Sequence, residues 1–548
     1  MPIILKMKNI VFLLSDFDTD YPYRKIFEGK SSFEKSLDWA FSLSSKVYVA
    51  IGGKYKSLAE EECKDKNVTV LKNEGCEKWT RGSLVSLMAE KAGVEGAENL
   101  IFSLADRPFL DTGLSEKLLE SHKKYLAEWT FADGYPEGFA PEIIDTGCLK
   151  ILSELSLSSF SIPASKKADS STLSALIMTD VNSFEVETVL AEEDYRMLRL
   201  NFSTSLYENF LASQNLFLAA LENKVPFDAE SLSLLASKTL SVQRTVPSFY
   251  NIQISAKTNH SSLYSPYEKA LEKSEGFKSP FMSLENFKKI VDDAASYSKK
   301  ATIGLSLWGE CLLVPDIISY AEAVLSHKEL SLLIETDGIL LDGELVSKFE
   351  ELCSKLGRKS EDDINFIVSL DARKGEVYSL LHPDSAPSSF SKAENAVSLL
   401  SSVFEGVYPQ MLRMNENEDE LESFYRYWSA KDSPSRGKVL IQKYDNFCGF
   451  LPDRKSADLS PLERNVCWHL KRDFCILLDG SVIPCRECIV SSSVGNVFEE
   501  GIEKIWKKME IFTEKQMKAL PFIKSENTCE CEIEEKCGKC DEYYIFNF

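Results

Sequence analysis

Residues 301–313 read ATIGLSLWGECLL, residues 330–341 LSLLIETDGILL and residues 364–375 INFIVSLDARKG. Each opens on an apolar run of strand length and closes on a polar or glycine-containing turn. Between them lie DIISYAEAVLSH (316–327) and ELVSKFEELCSKLG (344–357), whose apolar residues recur at three- and four-residue spacing. Upstream, FYNIQISAK (249–257) and SLENFKKIVDDAASYSKK (283–300) repeat the unit. Strand and helix in alternation predict a full or partial β/α barrel.

The beginning of the chain alternates in the same way: KNIVFLLSD (8–16), FEKSLDWAFSLSS (33–45), KVYVAIGG (46–53), SLVSLMAEKAG (83–93) and ENLIFSLADRPFL (98–110). This predicts a parallel α/β sheet whose ligands meet the carboxyl ends of the strands, where Asp16, Gly52-Gly53 and Asp106 fall. A single aspartate at such an end is equally suited to capping a helix. GYPEGFAPEIID (134–145) fits a loop leading to an edge strand. Residues 196–245 show helical spacing without strand-like alternation and are expected to form a helical connector.

The 548 residues hold 63 basic and 85 acidic side chains, a net charge of -22, which argues against nonspecific binding to nucleic acid or an anionic membrane. No stretch approaches the roughly 18 continuous apolar residues that a membrane span needs, and no cleavable leader is legible at the start. The expected location is the cytoplasm. Fourteen cysteines are present, eight of them between Cys467 and Cys540. In a reducing compartment such clustering points to metal rather than disulfides. The ligand candidates are Cys467, Cys475, Cys485, Cys488, Cys529, Cys531, Cys537 and Cys540. Cys485 with Cys488, and Cys537 with Cys540, are spaced so that a tight turn aims two sulfurs at one metal. Asp479-Gly480 supplies a hairpin turn that sets Cys475 and Cys485 on adjacent strands. Eight thiolates match two four-cysteine sites, and both iron-sulfur clusters and structural zinc use such sites.

Three resemblances add to this. Residues 8–195, through Asp106-Arg107-Pro108-Phe109-Leu110 and GKSSFEKSLDWA (29–40), resemble the nucleotidyltransferase-like sugar-nucleotide synthetases, which implies that Asp106 helps hold Mg2+ on nucleotide phosphates. The glycine-rich phosphate loop of that family is replaced here by SDFDTDYPYRKIF (15–27), acidic and without glycine. The second series resembles the radical S-adenosylmethionine (SAM) barrel, with Gly309-Glu310-Cys311 at the family's Gly-Glu-Pro turn, and Glu335-Thr336-Asp337-Gly338 and Ser369-Leu370-Asp371 at later strand ends. That resemblance makes Glu310 the SAM contact. Where the family carries C-x3-C-x2-C, however, this chain reads TNHSSLYSPY (258–267), without cysteine, so radical initiation is expected to be lost. His260 reads as a surface or packing residue.

The tail, through Gly480-x4-Cys485, Gly495-Asn496-Val497, Ile505-Trp506 and the closing cysteines, resembles the SPASM domain. The resemblance implies one 4Fe-4S cluster on Cys467, Cys475, Cys485 and Cys540, and another on Cys529, Cys531 and Cys537, with Cys488 or else His469 as fourth ligand. The domain order resembles the spiro-SPASM proteins. The expected fold class is α/β: a nucleotidyltransferase-like domain (1–195), the connector (196–245), a radical-SAM-like partial barrel (246–440) and a cysteine-rich domain (441–548). The expected role is iron-sulfur binding in electron transfer or in peptide or protein modification, with a partner and an electron donor. The alternative is a nucleotidyltransferase-like enzyme with a structural metal tail.

Overall fold

The computed structural model describes residues 8–73, 78–157, 162–266, 279–457, 463–464, 466–487, 493–519, 522–523, 537 and 540. The chain divides into two compact units, Met1–Thr245 and Val246–Phe548.

The first unit is built on β1 (Asn9–Asp16), β2 (Val47–Gly52), β3 (Val68–Lys72), β4 (Asn99–Leu104), β5 (Trp129–Asp133), β6 (Glu142–Asp145) and β7 (Val186–Leu190), in the order β3-β2-β1-β4-β6-β5-β7. Only β6 is antiparallel to its neighbours β4 and β5. Val11 and Leu13 face one core with Phe33, Val49 and Ile101. Ile10, Phe12 and Leu14 face another with Ala50, Val85 and Leu100. Covered on both faces, β1 has no polar side, which explains its unbroken apolar run. The helix Ser32–Leu43 begins at a capping box in which Ser31 and Glu34 each accept the other's backbone N–H. The strand expected at the edge, β6, is interior instead, because Ile143 and Ile144 are both buried, one in each core. Residues 196–245 contain the helices Tyr207–Asn223, Ala229–Lys238 and Leu240–Gln243, and Leu216, Leu232 and Val242 pack them into the first core.

The second unit carries β8 (Phe249–Ile252), β9 (Ala301–Leu305), β10 (Leu330–Thr336), β11 (Ile364–Ser369), β12 (Gly406–Arg413) and β13 (Leu440–Lys443), each parallel to the next. This is the partial β/α barrel read from the alternation, and its last strand reaches Lys443. The tail contributes β14 (Glu463–Arg464), β15 (Asp473–Ile476), β16 (Ser481–Ile483), β17 (Gly495–Asn496) and β18 (Phe522–Ile523). β14 and β18 form a separate antiparallel pair. β15 pairs in parallel with β8, so the sheet continues as β13-β12-β11-β10-β9-β8-β15-β16-β17. The turn between β15 and β16 needs Gly480, whose φ is 85°. Tyr250 and Phe287 of the barrel share one core with Phe474 and Trp506 of the tail. Among the described residues no helix is long and apolar enough to cross a membrane.

Candidate functional site

Six parallel strands carry their carboxyl ends to one side, and the loops that leave them diverge there. Between those loops lies a cavity of about 220 Å3, walled by His260 and Tyr264 after β8, Trp308 and Glu310 after β9, Glu335 and Asp337 around the end of β10, Gln410 of β12, Lys443 of β13, and Arg486 from the tail. The turn after β9 is held in the left-handed region at Trp308 (φ 37°) and Gly309 (φ 86°). For a tryptophan this conformation costs about 1–3 kcal/mol.

The turn aims the Glu310 carboxylate inward. Its Oε1 accepts from Leu312 N at 3.0 Å and from Thr336 Oγ1 at 2.8 Å, and its Oε2 accepts from Asp337 N at 2.9 Å. Burial raises the Glu310 carboxyl above the usual carboxylate range and the neighbouring Asp337 charge raises it further, against the pull of these three bonds. Glu310, expected as the SAM contact, thus lines the cavity with its carboxylate already engaged in tying the β9 and β10 loops together.

Asp371, just past β11, is fully buried. Tyr264 Oη donates to its Oδ2 at 2.6 Å and Leu412 N to its Oδ1 at 2.7 Å. Asn259 Nδ2 donates to Asp337 Oδ2 at 2.9 Å. His260 lies with Nε2 at 3.2 Å from Tyr378 Oη and its ring centroid 4.4 Å from that of His382. Burial first, and the adjacent His260 second, bring the His382 imidazole down to about 3, so it is neutral at ordinary pH. The cysteine-free loop after β8 is therefore tied to the strand ends by Asn259 and Tyr264. His260 is a packing residue, as expected, but it also faces the cavity.

Burial pushes the Asp371 carboxyl up to about 6, with Glu335 adding to the rise and the Tyr264 and Leu412 bonds opposing it. A folded-state value above the unfolded one means that the stability this group contributes is complete below about pH 4 and is lost as pH rises through about 6. Asp371→Asn retains both bonds, since an amide accepts from Leu412 N and donates to the Tyr264 oxygen. Urea midpoints at pH 4.5 and pH 8 should show wild type losing about 2 kcal/mol that the variant does not lose.

In the tail, Gln516 Oε1 accepts from Cys467 N at 2.9 Å and Gln516 Nε2 reaches Cys537 Sγ at 3.3 Å. Burial raises the Cys467 thiol, and Cys537 and Cys540 are close enough to raise it further. A buried glutamine thus links the Cys467 backbone to Cys537, two residues that the family resemblance assigns to different ligand sets. Cys475 lies on β15, buried in a small apolar cluster with Leu307, Ile483 and Trp308. The charges that bear most on its thiol, after burial itself, are Asp473 and Glu487. Cys485 follows β16 and is partly exposed. Cys488, Cys529 and Cys531 lie outside the described residues. Among the described residues no group of three or more His, Cys, Asp or Glu side chains is drawn together as a metal site. Cys537 and Cys540 each lie near enough to Cys467 to bear on its thiol, and sulfur is the donor type that iron-sulfur clusters use. His469 Nδ1 is 2.5 Å from Asp473 Oδ2, and Arg472 Nε is 2.5 Å from Asp473 Oδ1. Burial alone would raise Asp473, but Arg472 and His469 hold it down at about 2.

In the first unit, Asp16 ends β1 and Asp106 follows β4. Asp106 has no exposed surface; Ser203 Oγ donates to its Oδ2 at 2.7 Å and Ser205 N at 2.9 Å. One oxygen, Oδ1, has no hydrogen-bond partner, and burial raises the carboxyl. A Mg2+ ion carrying nucleotide phosphates needs a ligand reachable from solvent. A carboxylate covered by residues 203–205 does not fit that need, so the expectation placed on Asp106 is corrected to a buried brace between strand end and loop.

The sequence marks Glu335, Asp337 and Asp371 as strand-end landmarks without assigning them a site. Tyr264, His382, Lys443 and Arg486 give no signal, because each comes from a different part of the chain and only the shared sheet brings them together.

Residues 467–541 match a family model, SPASM, described as an iron-sulfur cluster-binding domain, so the chain is an α/β protein with an iron-sulfur cluster-binding domain at its end. An uncharacterized protein of Treponema pallidum (strain Nichols) is 36% identical over 377 residues, covering 68% of this chain and 97% of that one, and the chain belongs to its family. A second uncharacterized protein of the same organism is 43% identical over 68 residues, 12% of this chain and 31% of that one. Among solved structures, BtrN in complex with AdoMet and 2-DOIA is 16% identical, covering 55% of this chain and 98% of that one at a TM-score of 0.33. Native anSMEcpe with bound AdoMet is 16% identical, covering 53% and 88% at 0.37. A cytidylyltransferase from Leptospira borgpetersenii is 15% identical, covering 42% and 92% at 0.33. Scores of this size carry no argument about the site.

Proposed function

We propose that the chain is an iron-sulfur protein acting in electron transfer, or in peptide or protein modification, with a partner and an electron donor in the reducing cytoplasm. In this reading Cys467, Cys475, Cys485, Cys488, Cys529, Cys531, Cys537 and Cys540 hold one or two 4Fe-4S clusters, which supply one-electron transfer when bound. The barrel is then a binding platform rather than a radical initiator.

The observation that carries the reading is the pairing of β15 with β8. It sets Cys475 against Leu307 and Trp308, and Trp308 is also a wall of the cavity. The barrel loop that would need three thiolates for radical initiation instead offers Asn259, His260 and Tyr264, two of them bonded to Asp337 and Asp371. Glu310 already accepts from Leu312 N, Thr336 Oγ1 and Asp337 N, which fix its carboxylate between the β9 and β10 loops. Nucleotidyl transfer at Asp106 is favoured by no observation in the first unit.

The test is iron, acid-labile sulfide and zinc analysis of the full chain purified without oxygen, followed by incubation with SAM and dithionite. Iron and sulfide in equal amounts, with no deoxyadenosine formed, are the expected result. Zinc without sulfide would overturn the cluster reading, and deoxyadenosine would overturn the loss of radical initiation.

A further inference from the structure

The helix Glu510–Ala519 carries two fully buried polar side chains, Thr513 and Gln516, that meet the helix Trp468–Arg472 and the Cys467 preceding it. Thr513 Oγ1 donates to Leu470 O at 3.4 Å. One turn further on, Gln516 Oε1 accepts from Cys467 N at 2.9 Å and Gln516 Nε2 donates to Cys537 Sγ at 3.3 Å. Chemistry decides which end of the amide faces the sulfur. A backbone N–H only donates, so Cys467 N claims the oxygen and leaves the NH2 on the side of Cys537. A buried amide left unpaired costs about 1–3 kcal/mol, and here each end has a partner. An apolar side chain of similar length would fill the space without that requirement. What the glutamine adds is an N–H aimed at a cysteine sulfur.

We propose that Gln516 is a positioning residue for the cluster held through Cys537, its amide N–H donating to the ligand sulfur and thereby raising that cluster's reduction potential. The inference rests on the iron-sulfur reading, and within it on Cys537 as a ligand. Reduction adds one negative charge to a cluster and its thiolates. A donor on a thiolate favours the more negative state, and hydrogen bonds to the sulfurs are among the factors that set these potentials. The carbonyl end acts on the same side of the tail, since its bond to Cys467 N ties a second candidate ligand to the same helix.

The full chain is purified without oxygen and its iron and acid-labile sulfide are measured. It is then titrated with dithionite through mediators while electron paramagnetic resonance follows the reduced clusters. Gln516→Met keeps a long, buried side chain, removes the N–H and adds no charge. It is expected to retain iron and sulfide and to lower the midpoint of one cluster. At a fixed potential the ratio of reduced to oxidised cluster should fall about tenfold, which for a one-electron couple is about 59 mV. Thr513→Val removes a hydroxyl from the same helix face without touching a cysteine, and should leave every midpoint in place. In wild type, glutamine carrying an isotope-labelled amide nitrogen should show a coupling to the reduced cluster in pulsed resonance, and Gln516→Met should abolish it. Iron and sulfide with midpoints unmoved in Gln516→Met, or moved equally by Thr513→Val, would overturn the inference and leave the iron-sulfur reading standing. A chain without iron and sulfide would overturn that reading and the inference with it. If Gln516→Met sheds its iron, the wild-type coupling decides: its presence upholds the inference and its absence overturns it.

Discussion

Purified without oxygen, a variant carrying both Cys467→Ala and Cys537→Ala is expected to retain no more than about half the iron and sulfide of wild type, roughly four of eight irons per chain. The two cysteines are bridged by Gln516, one through its carbonyl and the other through its amide, so the substitutions strike the same side of the tail. With two four-iron clusters, loss of one should leave the visible absorption halved rather than abolished. Loss of all iron would mean that the remaining thiols cannot hold a cluster alone. Unchanged iron would show that neither cysteine is a ligand. The small, buried Cys353, in the barrel helix Gly343–Leu356, serves as control. Its replacement by alanine removes a sulfur without touching the tail, and iron content should not move.

Trp506→Ala should destabilise the second unit by about 3–5 kcal/mol, the range for truncating a buried aromatic. Trp506 is 1% exposed. Its ring centroid lies 6.1 Å from that of Phe474 on β15, which in turn lies 5.7 Å from Tyr250 on β8. A side chain of the tail thus packs into a core that it shares with the barrel. Denaturant unfolding followed by near-UV circular dichroism and by far-UV signal should show one shared transition moving to lower midpoint. A separate low-stability transition of the tail, with the barrel's midpoint unmoved, would contradict the common core.

That common core is not legible in the sequence. DFCILLDGSVIPC reads as a self-contained hairpin, and the hairpin does form, with Gly480 at its turn. What its residues do not announce is the partner on the other edge. Leu478 N donates to Gln253 Oε1 across a separation of 225 positions. Pairing over such distances depends on which sheet edge is left open once the barrel strands have formed, and local periodicity carries no record of it. The interior place of β6 is hidden for a related reason. Its stretch EIID shows too little pattern to tell a strand covered on both faces from one at an edge.

Asp106 shows the other limit. Its position after β4 is readable, because NLIFSL is a nearly continuous apolar run and the strand ends where it stops. Its role is not readable, since Ser203 and Ser205, which cover it, lie 97 and 99 positions away. The cavity behaves alike. Glu310, Glu335, Asp337 and Asp371 are each visible as polar residues at strand ends, but which of them is engaged by neighbours and which is left open follows from loops that only folding brings together.

From its residues alone the chain declares two series of strand-helix units, a hairpin at Asp479-Gly480, a cysteine-rich end and a barrel loop without thiols. These are properties of short windows, set by strand and helix periodicity and by the chemistry of single residue types. The tertiary structure alone decides that the tail extends the barrel's sheet, that Gln516 links Cys467 to Cys537, that Asp106 is sealed, and that Glu335 has no cation paired with it among the described residues. Each of these depends on contacts between distant segments, where burial and hydrogen-bond geometry, rather than the local pattern, determine which groups are satisfied.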